Sequence, residues 1–456
     1  MNEFDICIIG GGPGGYTAAL EAEKKGLKIL LVENEKLGGT CLNLGCIPTK
    51  SLLKSAESYN EVLKNQNKIF DFFNFDINYP EIINNSKKNI KRLLSGLEHL
   101  IKNKKITYLE GFASFIDINT VQVKKKDEVV NFKSKNFIIS TGAIPSYPKN
   151  LAPDNNKIFD SDGILNLKYL PKKILIVGGG YIGIEFAYFF NSLGSEVSII
   201  ESQSSILGSL DSDIVKELKN NFLKRGIKIY ENSKFQIDKL NKDNIEVLIN
   251  KEKDLYEIIL LATGRKPRTD KLNLDSINLA ISETGHINID GEYKSNLNNI
   301  YAIGDVIKGP MLAHRASFDA SKVIEIISEN KLDHKSIVPS CIYCQPEIAS
   351  IGLTEDYLIE NNIDFKKGLS PFKINGKSLA QGENRGFCKI LVDNEMKILG
   401  AHIIGKGATE MITELNIIMT NNLSIKAITN TMHPHPTLSE IIYECCLEII
   451  SKVKNT

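Results

Sequence analysis

The sequence predicts an α/β chain with two doubly wound parallel-sheet units and a C-terminal α+β unit, on three observations. The order strand, glycine-rich turn, helix, strand, acid occurs twice, over residues 4–33 and 174–201. After each copy an apolar run ends in Thr-Gly, at Phe137–Gly142 and at Ile258–Gly264. Beyond Pro339 the pattern turns to short alternating runs, Ile390–Val392 and Ile398–Ile404 among them, with helical periodicity near 408–421 and 437–453.

In the first copy, Phe4–Ile9 runs into Gly10-Gly11-Gly12-Pro13-Gly14-Gly15, a helix carrying Ala18, Ala19 and Ala22 follows, and the strand Ile29–Val32 ends at Glu33. Gly10, Gly12 and Gly15 fill the G-x-G-x-x-G positions. One makes the tight turn, one lets backbone approach a pyrophosphate, and one allows the helix to pack on the strand. The helix N-terminus then faces the phosphates, and Glu33 is placed to accept from a ribose diol. The second copy repeats this with Gly178, Gly180, Gly183 and Glu201, at the same interval from first glycine to acid. Two such units predict two Rossmann-like dinucleotide-binding domains and two nucleotides. An acid at Glu201, with no Lys or Arg between residues 202 and 215, favours a free 2′-hydroxyl, hence NAD over NADP.

Between the copies, residues 55–105 read as two helices and 106–140 as short strands. Residues 150–156 and 296–299 read as polar connectors. Ile300–Asp305 is a further strand meeting a glycine and an acid, with a helix from about Ala313. Composition narrows the function: 456 residues with 42% apolar and 24% charged residues form an ordinary globular core. A net charge of +1 offers no field for nucleic acid. No apolar run is long enough for a membrane span. Eight cysteines in a chain of this length do not make a disulfide scaffold, and the chain opens directly into a strand, so a cytoplasmic enzyme acting on small molecules is expected.

The chemistry is expected in Gly38-Gly39-Thr40-Cys41-Leu42-Asn43-Leu44-Gly45-Cys46-Ile47-Pro48-Thr49-Lys50. In a regular helix, positions five apart are separated by about 7.5 Å of rise, beyond the Cα spacing of a disulfide. A Cys41–Cys46 bridge therefore needs a distorted segment, which Gly45 and Pro48 permit. The spacing leaves two readings open, a reducible disulfide or two buried thiols at a helix start.

These segments, with Tyr301–Asp305 and His433-Pro434-His435-Pro436-Thr437-Leu438-Ser439-Glu440, resemble the FAD-dependent pyridine nucleotide disulfide oxidoreductases over essentially the whole chain, and their lipoamide-oxidising branch most closely. The resemblance implies residues 1–147 as an FAD domain with a redox-active disulfide, 148–270 as an NAD domain, 271–337 as a segment completing the FAD site, and 338–456 as a dimerisation domain. It implies that Cys41 exchanges with substrate while Cys46 lies against the flavin. His435 would be the base, oriented by Glu440. Asp305 would bind the ribityl chain, Ala313 would line the flavin, and Lys50 would pair with Glu185 beside it. Thr141, Gly142 and Gly264 complete the cofactor residues, and Tyr181 would cover the nicotinamide pocket.

The function so implied is NAD⁺-linked oxidation of dihydrolipoyl groups carried by 2-oxoacid dehydrogenase or glycine-cleavage complexes. The site would be shared across a homodimer whose partners are lipoyl domains. The alternatives are a glutathione-type or mercuric reductase using NAD(P)H, or a flavin-binding protein without catalysis. Glu201 opposes a glutathione-type enzyme, the intact His-Pro-Thr-x-x-Glu segment a mercuric one, and the paired cysteines with His435 the loss of catalysis. Cys341-x-x-Cys344 falls in a predicted strand whose i and i+3 positions face opposite sides, so packed thiols are expected and no metal site. Cys445-Cys446 is expected to pack inside a helix. Ser317, where lipoamide enzymes usually carry Glu, and Arg385 are departures from the pattern.

Overall fold

A computed structural model describes residues 3–71, 76–126, 128–149, 151–329 and 337–454. Asn150, first residue of one expected connector, and residues 330–336, ahead of the boundary expected at 337, lie outside the described residues. The chain begins with β1 (Glu3–Ile9), α1 (Pro13–Lys24) and β2 (Ile29–Glu33). Then come α2 (Gly39–Leu44), α3 (Cys46–Lys64) and α4 (Tyr79–Lys102). Two helices therefore occupy the region expected to hold them, but the first starts at Cys46, directly on the redox segment.

The first sheet is parallel at its centre. Strands Ile106–Glu110, β2, β1 and Val129–Ile139 lie side by side, with Ile6 opposite both Ile29 and Asn136. The strands Phe112–Asp117 and Thr120–Lys124 extend it as an antiparallel meander. Ile300–Ala302 returns late in the chain to pair in parallel with Phe137–Ile139. Its central residues Ile6, Cys7 and Ile8 are fully buried, as expected of a strand covered on both faces.

The second sheet repeats the plan, in the order Lys228–Tyr230, Glu196–Ile200, Lys173–Val177, Ile258–Leu261, Ile158–Asp160, all parallel. The chain passes between the two sheets at Ala143–Pro145 and returns at Arg265–Pro267, and these two crossings pair antiparallel with each other. A third sheet, antiparallel throughout, orders Ser340–Ile342, Ile348–Gly352, Ile398–Ile404, Phe387–Val392 and Lys366–Pro371. Helices Ala408–Thr420 and Glu440–Lys454 share its core through Ile412, Leu415, Ile442 and Cys445. The fold is thus two Rossmann-like units and an α+β unit. Among the described residues no helix is long and apolar enough to cross a membrane.

A buried ionic cluster joins the second unit to the third. Lys389, on the strand Phe387–Val392, has a side chain with no exposure and lies 2.8 Å from Asp211 and 2.7 Å from Asp213, and it also pairs with Glu355. Burial disfavours its ammonium, yet the three carboxylates raise its pKa, so it stays charged. Asp211 is equally buried and accepts the Glu355 N–H at 3.1 Å. Removing one member of such a cluster strands a buried charge. Lys389→Met is therefore expected to cost about 3–5 kcal/mol, seen as an earlier thermal transition, while Lys253→Met, in an exposed pair with Asp238, leaves that transition in place.

Candidate active site

The redox segment is shaped by three glycines. Gly38 and Gly39 both have positive φ, 90° and 57°, and turn the chain from β2 into α2. A Cβ on Gly39 would stand 2.7 Å from the Cα of Gly12, so the redox segment can sit directly on the first fingerprint loop only without a side chain there. At Gly45, with φ −139° and ψ −106°, the helical path breaks and α3 begins. That break is the distortion the five-residue spacing demanded.

Cys41 in α2 and Cys46 at the first position of α3 are consequently brought together as free thiols, with Cys41 the donor toward Cys46. Donation from the Cys41 thiol lowers the pKa of Cys46 to about 7 against the opposing effect of burial, and the charge of Lys50 adds to the lowering. The Cys41 thiol is raised by the same bond and by burial. A helix N-terminus also favours a thiolate. The pair therefore carries its negative charge on Cys46.

One turn further along α3, Lys50 Nζ lies 2.9 Å from each carboxylate oxygen of Glu185, on the helix Tyr181–Ser192 of the second unit. Glu185 is buried and also accepts the Tyr343 N–H at 3.0 Å. The Tyr343 ring receives the Lys50 ammonium 4.5 Å from its centroid. Three units thus meet at one ion pair. Tyr343 is a site residue that the sequence reading does not single out, because its role exists only once the third sheet is packed.

A cleft of about 1390 Å³ runs from Glu33 past the cysteines to Lys50 and Glu185, and Gly10, Gly12, Thr141, Gly142, Asp305 and Ala313 also line it. Gly15 does not line it; a Cβ there would fall 1.7 Å from the Gly10 carbonyl oxygen, so its missing side chain lets α1 pack closely against the turn after β1. Thr141 Oγ1 donates to the Arg268 carbonyl at 2.6 Å, and Arg268, also missed from sequence, pairs with Glu35 at 2.9 Å on the cleft wall. Burial raises the Asp305 carboxyl, with Arg265 and Arg315 opposing.

A smaller cleft, about 460 Å³, is lined by Gly179, Gly180, Tyr181, Glu201 and the 203–209 loop. Among the described residues Tyr181 alone lines both clefts. Gly264 lines neither. It lies at the chain crossing, where its carbonyl accepts the Ser146 N–H at 3.0 Å, so the structure does not bring this expected cofactor residue to a cleft.

Both clefts have a dinucleotide's donor set. Each fingerprint helix begins after a glycine without a side-chain cap, leaving N–H groups free for phosphate. Glu33 accepts the Gly11 and Glu35 N–H groups at 2.6 and 2.7 Å. Glu201 accepts those of Gly179 and Gln203, both at 2.8 Å. Each carboxylate is held rigid with lone pairs left for a ribose. The larger cleft, with the desolvated Asp305 in its lining, fits FAD, and the smaller one fits NAD.

His435 and Glu440 are brought to each other but not to the cysteines. His435 Nδ1 lies 2.8 Å from Glu440 Oε1, and Glu440 Oε2 accepts the Thr437 N–H at 2.8 Å. Those two bonds hold the Glu440 carboxyl below its usual range. The His435 side chain is 77% exposed and is not among the lining residues of the large cleft. Cys344 donates to the Pro346 carbonyl at 3.2 Å beyond the strand Ser340–Ile342, and Cys445 to the Cys388 carbonyl at 3.5 Å inside the third core. Cys344 and Cys445 are packed thiols, whereas Cys341, expected to pack like Cys344, is only partly buried and lines the large cleft. Ser317 reaches Thr17 on α1 at 3.4 Å, so the departure at this position joins two helices.

Comparison with known proteins agrees with this geometry. The pyridine nucleotide-disulphide oxidoreductase family matches residues 4–320 and its dimerisation domain residues 338–445. The chain is 38% identical to a dihydrolipoyl dehydrogenase of Chlamydia trachomatis, covering 98% of this chain and 97% of that one. It is 36% identical to the mitochondrial dihydrolipoyl dehydrogenase of Schizosaccharomyces pombe, over 98% and 89%. Among solved structures, the HOCl-induced flavoprotein disulfide reductase RclA of Escherichia coli superposes with TM-score 0.86 at 27% identity, over 97% of this chain and 99% of that one. With two fingerprint clefts, a thiol pair lining the larger one and matches that span both parts of the chain, this protein belongs to the pyridine nucleotide-disulphide oxidoreductase family.

Proposed function

We propose that the protein oxidises dihydrolipoyl groups with NAD⁺, giving lipoyl disulfide and NADH. The observation that carries this reading is the pairing of the free thiols Cys41 and Cys46 across the helix break, with the Lys50–Glu185 pair lining the same cleft, a cleft shaped for a flavin dinucleotide. The dihydrolipoyl dehydrogenases that match the full length support the choice of dithiol. A glutathione-type or mercuric reductase has Glu201 and the intact His435–Glu440 pair against it.

In the oxidised enzyme a substrate thiolate attacks Cys41 Sγ, the Cys41–Cys46 bond breaks, and Cys46 leaves as thiolate. The lower pKa of Cys46 makes it the better leaving group. The second substrate thiol attacks the substrate sulfur of the mixed disulfide, closing the lipoyl ring and releasing Cys41, which takes a proton. His435 removes the proton from the incoming thiol, and Glu440 fixes its Nδ1 so that Nε2 is the working nitrogen. FAD, when bound, supplies the two-electron acceptor between the thiols and NAD⁺. Lys50 keeps the Cys46 thiolate stable while Glu185 holds Lys50 in place.

We assign residues 1–147 and 271–337 to the FAD side, 148–270 to the NAD side and 338–456 to dimerisation, in keeping with the three largest of the described sheets. The exposure of His435, beside Met432 at 94% exposed, supports a homodimer in which it reaches the partner's cysteines. Lipoyl domains of 2-oxoacid dehydrogenase or glycine-cleavage complexes are the macromolecular partners this implies, and a reducing cytoplasm the compartment.

The decisive assay offers dihydrolipoamide with NAD⁺ or NADP⁺. Turnover with NAD⁺ is expected, and NADPH oxidation by glutathione disulfide without dihydrolipoamide turnover overturns the reading. Cys46→Ser is expected to lower turnover by roughly 10³-fold or more, and His435→Gln by about 10²–10⁴-fold. Mixing the two variants should regenerate one working site per mixed dimer. A mixture as inactive as its components contradicts the shared site. Peptide-resolved alkylation of the reduced enzyme should show Cys46 gaining reactivity as pH rises through about 7. Lys50→Met should move that midpoint upward, since a cation favouring the thiolate is lost.

A further inference from the structure

The loop after Glu201 forms the outer wall of the smaller cleft and carries no basic residue. A cation nevertheless reaches that wall from behind. Lys219, on the helix Ser212–Lys224, extends Nζ to 3.3 Å from Ser205 Oγ and 2.7 Å from Glu231 Oε2. Glu231 in turn accepts the Ile206 N–H through Oε1 at 2.7 Å, so its carboxylate is clamped between the lysine and the loop backbone. The loop is held further by Asn232 N–H to the Gln203 carbonyl at 2.9 Å and Leu207 N–H to the Gly179 carbonyl at 3.0 Å. With side chains 27% and 21% exposed, the pair is only partly solvated.

A nicotinamide dinucleotide whose adenosine ribose is held by Glu201 turns its 2′ oxygen toward this loop. A 2′-phosphate there would meet the Glu201 carboxylate and the hydroxyls of Ser204 and Ser205. Lys219 brings a cation to Ser205 of that wall, and Glu231 pairs with it. We propose that the Lys219–Glu231 pair determines coenzyme specificity. Glu231 holds Lys219 as a neutralised cation behind Ser205, and discrimination against the 2′-phosphorylated coenzyme depends on that neutralisation as well as on Glu201. The inference rests on the assignment of the smaller cleft to NAD and deepens it. A pair that served only to tie the loop to its helix would leave coenzyme preference untouched.

The test is fluorescence titration of the oxidised flavin-loaded protein with NAD⁺ and with NADP⁺, neither of which can pass a hydride to the flavin, so that the readout is binding alone and independent of the dithiol substrate. Glu231→Gln keeps the shape and the acceptor for Ile206 while removing the charge. The ratio of the NADP⁺ to the NAD⁺ dissociation constant is expected to fall roughly tenfold in this variant, and the gain to shrink at high salt. In the Glu231→Gln/Lys219→Met double variant the gain should disappear. An unchanged ratio, or a gain that survives loss of Lys219, overturns the proposal. Should Glu231→Gln not fold, Lys219→Met alone leaves Glu231 uncompensated, and the ratio should rise several-fold; no rise overturns the proposal equally. If the wild-type protein binds neither nucleotide, the assignment of the cleft itself falls.

Discussion

The Lys50–Glu185 ion pair is the constraint around which the site is assembled. A buried carboxylate needs a cation and further hydrogen bonds to remain charged, and Glu185 obtains them from the first unit through Lys50 and from the third through the Tyr343 N–H. Satisfying one side chain therefore ties together the three units. The same lysine lies close enough to Cys46 to favour its thiolate. Stability of the junction and reactivity of the thiol thus have one source.

The two fingerprint units show how far a repeated local device can be diverted by its surroundings. Glu33 and Glu201 make matching pairs of bonds to their own loops. Glu33, however, is buried, and desolvation raises its pKa. In the first unit the loop is capped by Gly39 of the redox segment and opens into a long cleft shared with Lys50 and Asp305. In the second it opens into a short one whose outer wall is the 203–209 loop. Tyr181, at the start of the second fingerprint helix, is where the two clefts touch.

The Cys41–Cys46 pair shows local chain geometry deciding chemistry. Had the helix run on through Gly45, the sulfurs would lie on different faces and could not bond. The break places Cys46 at a helix start and leaves Cys41 one turn away, which polarises the pair. Two otherwise identical side chains are thereby given different environments.

Much of this was legible in the residues themselves, because it is carried by short-range pattern. The glycine fingerprints, the strand-ending acids, the apolar runs of the parallel strands and the need for a break between the cysteines all follow from backbone sterics and period. The Lys50–Glu185 pair and the His435–Glu440 pair were reached through resemblance, and the structure brings each of them together. Tyr343, Arg268 and the Lys389 cluster were not legible, since each depends on which surfaces face each other after the sheets pack. The amino-acid order by itself determined the sheets, the turns and the chemical types at the site. Tertiary structure alone decided which charges are buried together, because desolvation and ion pairing act between residues more than a hundred positions apart that no local pattern relates.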